Sequence, residues 1–136
     1  MPTVLYACIH NSGRSVAAAA LTRHYAGAAV EVRSAGSQPG PGVNPVVARV
    51  LAERGLDVDG HVPTQLDYDL VGASDVVITM GCGETCPVFP GKRYEDWPVD
   101  DPAGQDLAAV RRIVDDIDTR VRRLVAELTT AAPPAG

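Results

Sequence analysis

The order of elements along this 136-residue chain predicts an α/β fold, a four-stranded parallel sheet with helices on both faces. Three observations carry that expectation. An apolar, β-prone run, Thr3-Val4-Leu5-Tyr6-Ala7, passes through a small-residue turn straight into an alanine-rich helical stretch. Further β-prone runs alternate with helical ones, as βαβ units require. The C-terminal stretch holds a long helical period that would cover one face of the sheet.

Each element has its own signal. Residues 3–7 read as a buried strand. Cys8-Ile9-His10-Asn11-Ser12-Gly13-Arg14-Ser15 is the turn, and Val16-Ala17-Ala18-Ala19-Ala20-Leu21 opens the first helix. Residues 29–34 alternate and read as a second strand. Gly36 to Gly42 holds three Gly and two Pro, a loop. Asn44-Pro45 starts a helix that runs to about Arg54, with Gly55 as its C-terminal cap.

Residues 67–73 suit a short helix, and 75–80 (Asp-Val-Val-Ile-Thr-Met) a buried strand. A Gly- and Pro-rich loop spans 81–91, and 93–97 is the fourth strand. It ends before Asp100-Asp101-Pro102-Ala103-Gly104. In the last helix Leu107, Val110, Val114, Ile117, Val121, Leu124 and Leu128 step by three and four, widened by Ile113 and Val125. Arg111, Arg112, Asp115, Asp118 and Arg122 fill the other face. Residues 131–136 read as a frayed tail, leaving 1–130 as a single domain.

Composition narrows the function. Hydrophobic residues make up 46% and charged residues 21%, ordinary for a soluble chain. Twelve basic residues against 17 acidic leave a net charge of −5, which argues against a general nucleic-acid or membrane-surface binder. No apolar run is long enough for a membrane span, and the N-terminus carries no signal-peptide pattern, so the cytoplasm is expected. Three cysteines, Cys8, Cys82 and Cys86, are an odd number, and in a reducing compartment they are candidates for chemistry. Zinc is not expected: it would need four ligands, and His24 and His61 stand in unrelated places.

In parallel sheets ligands sit beyond the carboxyl ends of the strands. The turn Cys8 to Arg14 is such a place, and its small residues let successive N–H groups form an anion nest. The following helix points its positive end at the same spot. Arg14 can grip two oxygens of a tetrahedral anion. Cys8 would lie on the floor of that cradle, where the amides, Arg14 and the Ser15 hydroxyl favour its thiolate, a nucleophile aimed at the central atom.

Ile9, His10, Asn11, Ser12 and Gly13 complete the cradle, with Asn11 suited to φ > 0 and to tying the loop. Cys82 and Cys86, four apart between Gly81 and Pro87, suit a resolving pair for thiol–disulfide exchange. Asp101 can protonate a leaving oxygen, although Asp-Pro is also a common turn.

Together, Cys8-x5-Arg14-Ser15 and the late Asp101-Pro102 resemble the low-molecular-weight tyrosine phosphatase fold. Thr79-Met80-Gly81-Cys82-Gly83-Glu84-Thr85-Cys86-Pro87 and the run from Gly91 to Gly104 are closer to its arsenate reductase branch. The resemblance covers about residues 3–130. It implies that the loop amides and Arg14 bind arsenate, that Cys8 attacks arsenic, and that Asp101 protonates the departing oxygen. It further implies a Cys8–Cys82 disulfide, then a Cys82–Cys86 disulfide reduced by thioredoxin. No bound cofactor is implied.

The two later cysteines stand closer than in many thioredoxin-coupled relatives. Some relatives carry a cation-binding acid on the first helix; Val16 to Ala20 holds none, so no cation is expected. The aromatic ring that phosphatases place around phosphotyrosine is missing, since Tyr6 lies in the strand. Three other readings compete: reduction through mycothiol and a mycoredoxin, a low-molecular-weight tyrosine phosphatase, and a non-enzymatic thiol sensor. The sequence leaves monomer and homodimer open.

Overall fold

Every residue of β1, Thr3–Cys8, is buried, because the strand runs through the middle of the sheet. The structure is a computed structural model and describes residues 1–58, 60–81 and 91–130. β2 is Glu31–Gly36, β3 is Val76–Thr79 and β4 is Arg93–Asp96. The sheet order is β2-β1-β3-β4 and every pairing is parallel. Cys8 pairs with Gly36 and Thr79 with Asp96, so the carboxyl ends of the strands lie along one edge.

The period of two along β1 sorts its side chains between two cores. Val4, Tyr6 and Cys8 face α1 (Arg14–Ala26), α2 (Pro45–Glu53) and α4 (Leu107–Thr130). Leu5 and Ala7 face Leu66, Val71 and Val77 on the other side, where α3 (Tyr68–Gly72) packs.

Residues 14–22 of α1 are buried without a polar face, and the helix packs against both the sheet and α4. Its alanines, Ala17 to Ala20, are the side chains that allow such close approach on two sides. Tyr6 ties the sheet to this helix: its hydroxyl lies 2.6 Å from Thr22 Oγ1, which itself donates to Ala18 O at 2.8 Å. Tyr6 is therefore the donor, and burial pushes its phenol well above the ordinary range.

α2 begins and ends as its sequence suggests. Asn44 Oδ1 accepts from the N–H groups of Val46 and Val47, and Gly55 stops the helix at a φ of +79°. β2 is displaced from the expected 29–34 by two residues. Gly27–Ala29 instead forms a 3-10 turn that prolongs the end of α1, so the strand starts later. β3 and β4 fall within their expected ranges. Most of the 81–91 loop and the tail at 131–136 lie outside the described residues. Among the described residues no helix is long and apolar enough to cross a membrane.

α4 buries the expected stripe, with Leu107 and Leu128 partly exposed at its ends. Asp118 departs from expectation. It is only 3% exposed rather than on the solvent face. Its carboxylate accepts from the Tyr25 hydroxyl at 2.7 Å, pairs with Arg122, and stands 3.7 Å from Arg54 Nη1. One carboxylate thus joins α1, α4 and the end of α2, and partners from three segments compensate its burial. Replacing it strands those partners. Asp118→Ala is expected to lower unfolding free energy by about 1–3 kcal/mol, read from the urea midpoint at unchanged slope.

Candidate active site

The loop from Cys8 to Arg14 turns its carbonyls outward. Ser37 N donates to Cys8 O at 3.2 Å, Gln38 N to Ile9 O at 2.8 Å, Gly40 N to His10 O at 3.0 Å and Asn44 N to Ser12 O at 2.8 Å. In a trans peptide the next amide points the opposite way from the carbonyl. The N–H groups of Ile9, His10, Asn11 and Gly13 therefore face the inner side. That of Asn11 reaches Cys8 Sγ there, at 3.2 Å. The glycine- and proline-rich segment 37–44 is thus the outer clamp of an amide nest.

Cys8 ends β1 as a free thiol, 2% exposed. Its sulfur lies 2.9 Å from Ser15 Oγ. The donor directions follow from Asn11. Thr64 N can only donate, and it meets Asn11 Oδ1 at 3.0 Å, so the other amide atom is Nδ2. Nδ2 donates to Ser15 Oγ at 2.7 Å, which leaves the Ser15 hydroxyl hydrogen for the sulfur. His61 Nε2 lies 3.1 Å from both Asn11 O and Asn11 Oδ1, two acceptors, so Nε2 carries the hydrogen. Every link in the chain donates toward Cys8, an arrangement that stabilises negative charge on sulfur.

Asn11 makes these contacts at a φ of +51°, a conformation its side chain tolerates better than most. The loop also needs Gly36, where a Cβ would stand 2.5 Å from Ile9 O and 2.8 Å from Asn11 N. Both obstacles are backbone.

α1 begins directly at Arg14, and Gly13 places no side-chain oxygen on its first amides. The helix head is left available to a ligand, and no acidic residue occupies its first turn. Arg14 is buried; its Nη1 donates to Val99 O at 3.4 Å and its Nη2 stands 3.8 Å from Asp101 Oδ2. Asp101 is half-exposed, and its Oδ1 accepts from Ala103 N at 3.0 Å. Pro102, buried, packs on Gly13, where a Cβ would lie 2.7 Å from its Cγ. The Asp101 turn therefore overhangs the helix head.

His10 is exposed at the rim, its Nδ1 donating to Gln38 O at 2.9 Å. Ser12 Oγ donates to His10 O at 3.2 Å. Together they border an open groove of about 1020 Å³ that continues along Pro39, Val43 and Pro102.

The expected loop residues, Cys8 through Ser15, thus meet Asp101 in one place. Cys82 and Cys86 lie outside the described residues. His61 corrects the expectation that it stands apart: it touches Asn11, as does Thr64. Neither carried a sequence signal, because both sit in the irregular stretch between α2 and α3. Among the described residues no group of three or more His, Cys, Asp or Glu is placed to hold a metal ion.

The fold and the loop define a protein with a buried thiol set in a loop of inward-facing amides at the head of a helix. Residues 3–133 match the family of low molecular weight phosphotyrosine protein phosphatases, and the chain belongs to that family. It is 34% identical over 123 residues to arsenate reductase 1 of Staphylococcus epidermidis, covering 88% of this chain and 92% of that one. A thioredoxin-dependent arsenate reductase from Corynebacterium glutamicum superposes with a TM-score of 0.86 at 46% identity. That similarity covers 96% of this chain but 63% of the longer Corynebacterium chain. An arsenate reductase from Archaeoglobus fulgidus superposes at 0.79 with 37% identity, covering 91% and 99%.

One expectation tests the outer clamp. Gly36→Ala should cost about 1–3 kcal/mol, because the obstructing atoms are backbone and cannot swing away. Thermal melts of the reduced protein measure it. A change within error of the wild type would mean that the loop is not held at Gly36.

Proposed function

We propose that the protein is an arsenate reductase in which Cys8 is the nucleophile and thioredoxin the external reductant. The observation that supports this most is the Cys8 sulfur receiving hydrogen bonds from Asn11 N and Ser15, in a loop that ends at Arg14, which stands 3.8 Å from Asp101. The similarity to arsenate reductases favours arsenate over a phosphate ester.

In this reading the amides of residues 9–13, the head of α1 and the Arg14 fork bind arsenate. The Cys8 thiolate forms a sulfur–arsenic bond while Asp101 gives a proton to an arsenate hydroxyl, which leaves as water. The Cys82 thiolate then attacks the Cys8 sulfur. The electron pair of the sulfur–arsenic bond passes to arsenic, which leaves as arsenite, and a Cys8–Cys82 disulfide remains. Cys86 attacks Cys82 and releases Cys8 as thiolate. Thioredoxin reduces the Cys82–Cys86 disulfide. His61 and Thr64 are positioning residues that act through Asn11. Residues 1–130 act as one domain in the cytoplasm, with no resident metal.

Arsenate-dependent oxidation of NADPH, with thioredoxin and thioredoxin reductase as the thiol system, is the direct assay. Steady turnover is expected. Turnover that appears only with mycothiol and a mycoredoxin would move the coupling to a small thiol. Hydrolysis of a phosphotyrosine with no arsenate turnover would make the protein a phosphatase.

The relay has its own test. Cys86→Ser should release one arsenite per chain and stall with Cys8 bonded to Cys82, seen as a disulfide-linked peptide by mass spectrometry. Full multiple turnover of that variant would remove the last exchange step.

A further inference from the structure

Gly81 meets Arg14 more closely than any side chain would allow. A Cβ built on it would lie 2.5 Å from Arg14 Nη1, 3.1 Å from Cζ and 3.2 Å from Nη2. Gly81 also sits at a φ of +90°, just beyond β3. The guanidinium is therefore held between two segments. The bare backbone after β3 lies against it on one side, and Val99 O and Asp101, after β4, face it at 3.4 and 3.8 Å.

We propose that Gly81 is a positioning residue for Arg14: its missing side chain sets where the guanidinium stands, and so how tightly the first loop binds a tetrahedral oxyanion. The inference rests on Arg14 as the oxyanion clamp. A guanidinium fork gains most when two N–H groups meet two oxygens at once, and a small displacement breaks one of them.

The kind of neighbour decides what a methyl group at Gly81 would do. Around Gly36 the obstructing atoms are backbone, so the fold must yield. At Gly81 they are the far end of a long side chain, so the guanidinium yields. The damage falls on the clamp. Gly91 supplies the matched control, with a φ of +83° and nothing among the described residues within 4 Å of an added Cβ. A side chain there meets the same backbone strain without the neighbour.

The test is calorimetric titration of the reduced protein with orthophosphate, with melting temperatures measured in parallel. Gly81→Ala should weaken phosphate binding about tenfold, the loss of one charge-assisted hydrogen bond. Gly91→Ala should bind as the wild type does while melting lower by a similar amount. Gly81→Asn tolerates positive φ better, so it should melt closer to the wild type and still lose affinity; it serves if Gly81→Ala fails to fold. In an Arg14→Lys background, which has no fork to misalign, Gly81→Ala should cost no more than about twofold.

Wild-type affinity in both Gly81 variants would overturn the proposal. So would an equal loss with Arg14 and with Lys at position 14, since strain would then reach the loop through the backbone. Arg14→Lys binding phosphate as tightly as the wild type would overturn the clamp reading itself, and this inference with it.

Discussion

Asn11 bonds in four directions from a backbone conformation that most side chains avoid. Its N–H meets the Cys8 sulfur, its Nδ2 meets Ser15, and its Oδ1 receives Thr64 N and His61 Nε2. The residue is fully buried, and a buried amide with an unmet bond is costly. Satisfied on every side, it admits one arrangement of the loop. Cys8 at the floor, the Ser15 hydroxyl on its sulfur and the inward amides all depend on that arrangement. The segment from His61 to Thr64 enters the site through Asn11.

The parallel sheet makes such a site available. Its strands end along one edge, so the segments after β1, β3 and β4 converge. Close packing there selects glycine for reasons that differ from place to place. Gly36 lies under the backbone of residues 9–11, and Gly13 under the ring of Pro102. Both are sites where another chain segment occupies the room of a Cβ. The Asp101 turn reaches the helix head because Gly13 lets Pro102 settle against it.

In the proposed reading, a chain of net charge −5 binds an anion by local means. Net charge sets long-range steering, whereas binding is decided over a few ångströms by fixed dipoles and one guanidinium. α1 keeps its first turn free of acids, and its Gly13 cap supplies no oxygen to the leading amides. A serine or aspartate cap would strengthen the isolated helix but would fill the place that a ligand oxygen can take. Helix stability comes instead from burial on two sides, where Ala17 to Ala20 meet the sheet and α4.

The fold class, the order of the elements and the Cys8–Ser15 loop were legible in the sequence because each rests on short-range rules. A continuous apolar, β-prone run marked β1, the three- and four-residue steps marked α4, and Asn44-Pro45 with Gly55 marked both ends of α2. The loop was legible because strand, small-residue turn, arginine and helix follow one another within a few positions. Strand limits were less so: β2 moved by two residues when the end of α1 tightened into a 3-10 turn. Tertiary structure decided what depends on distant partners. It brought His61 and Thr64 to Asn11, buried Asp118 among Tyr25, Arg54 and Arg122, and set Gly81 against Arg14. Apart from the Asp118–Arg122 pair within α4, these have no local signature, because the partners lie tens of residues apart and meet only when helices and loops pack on the sheet.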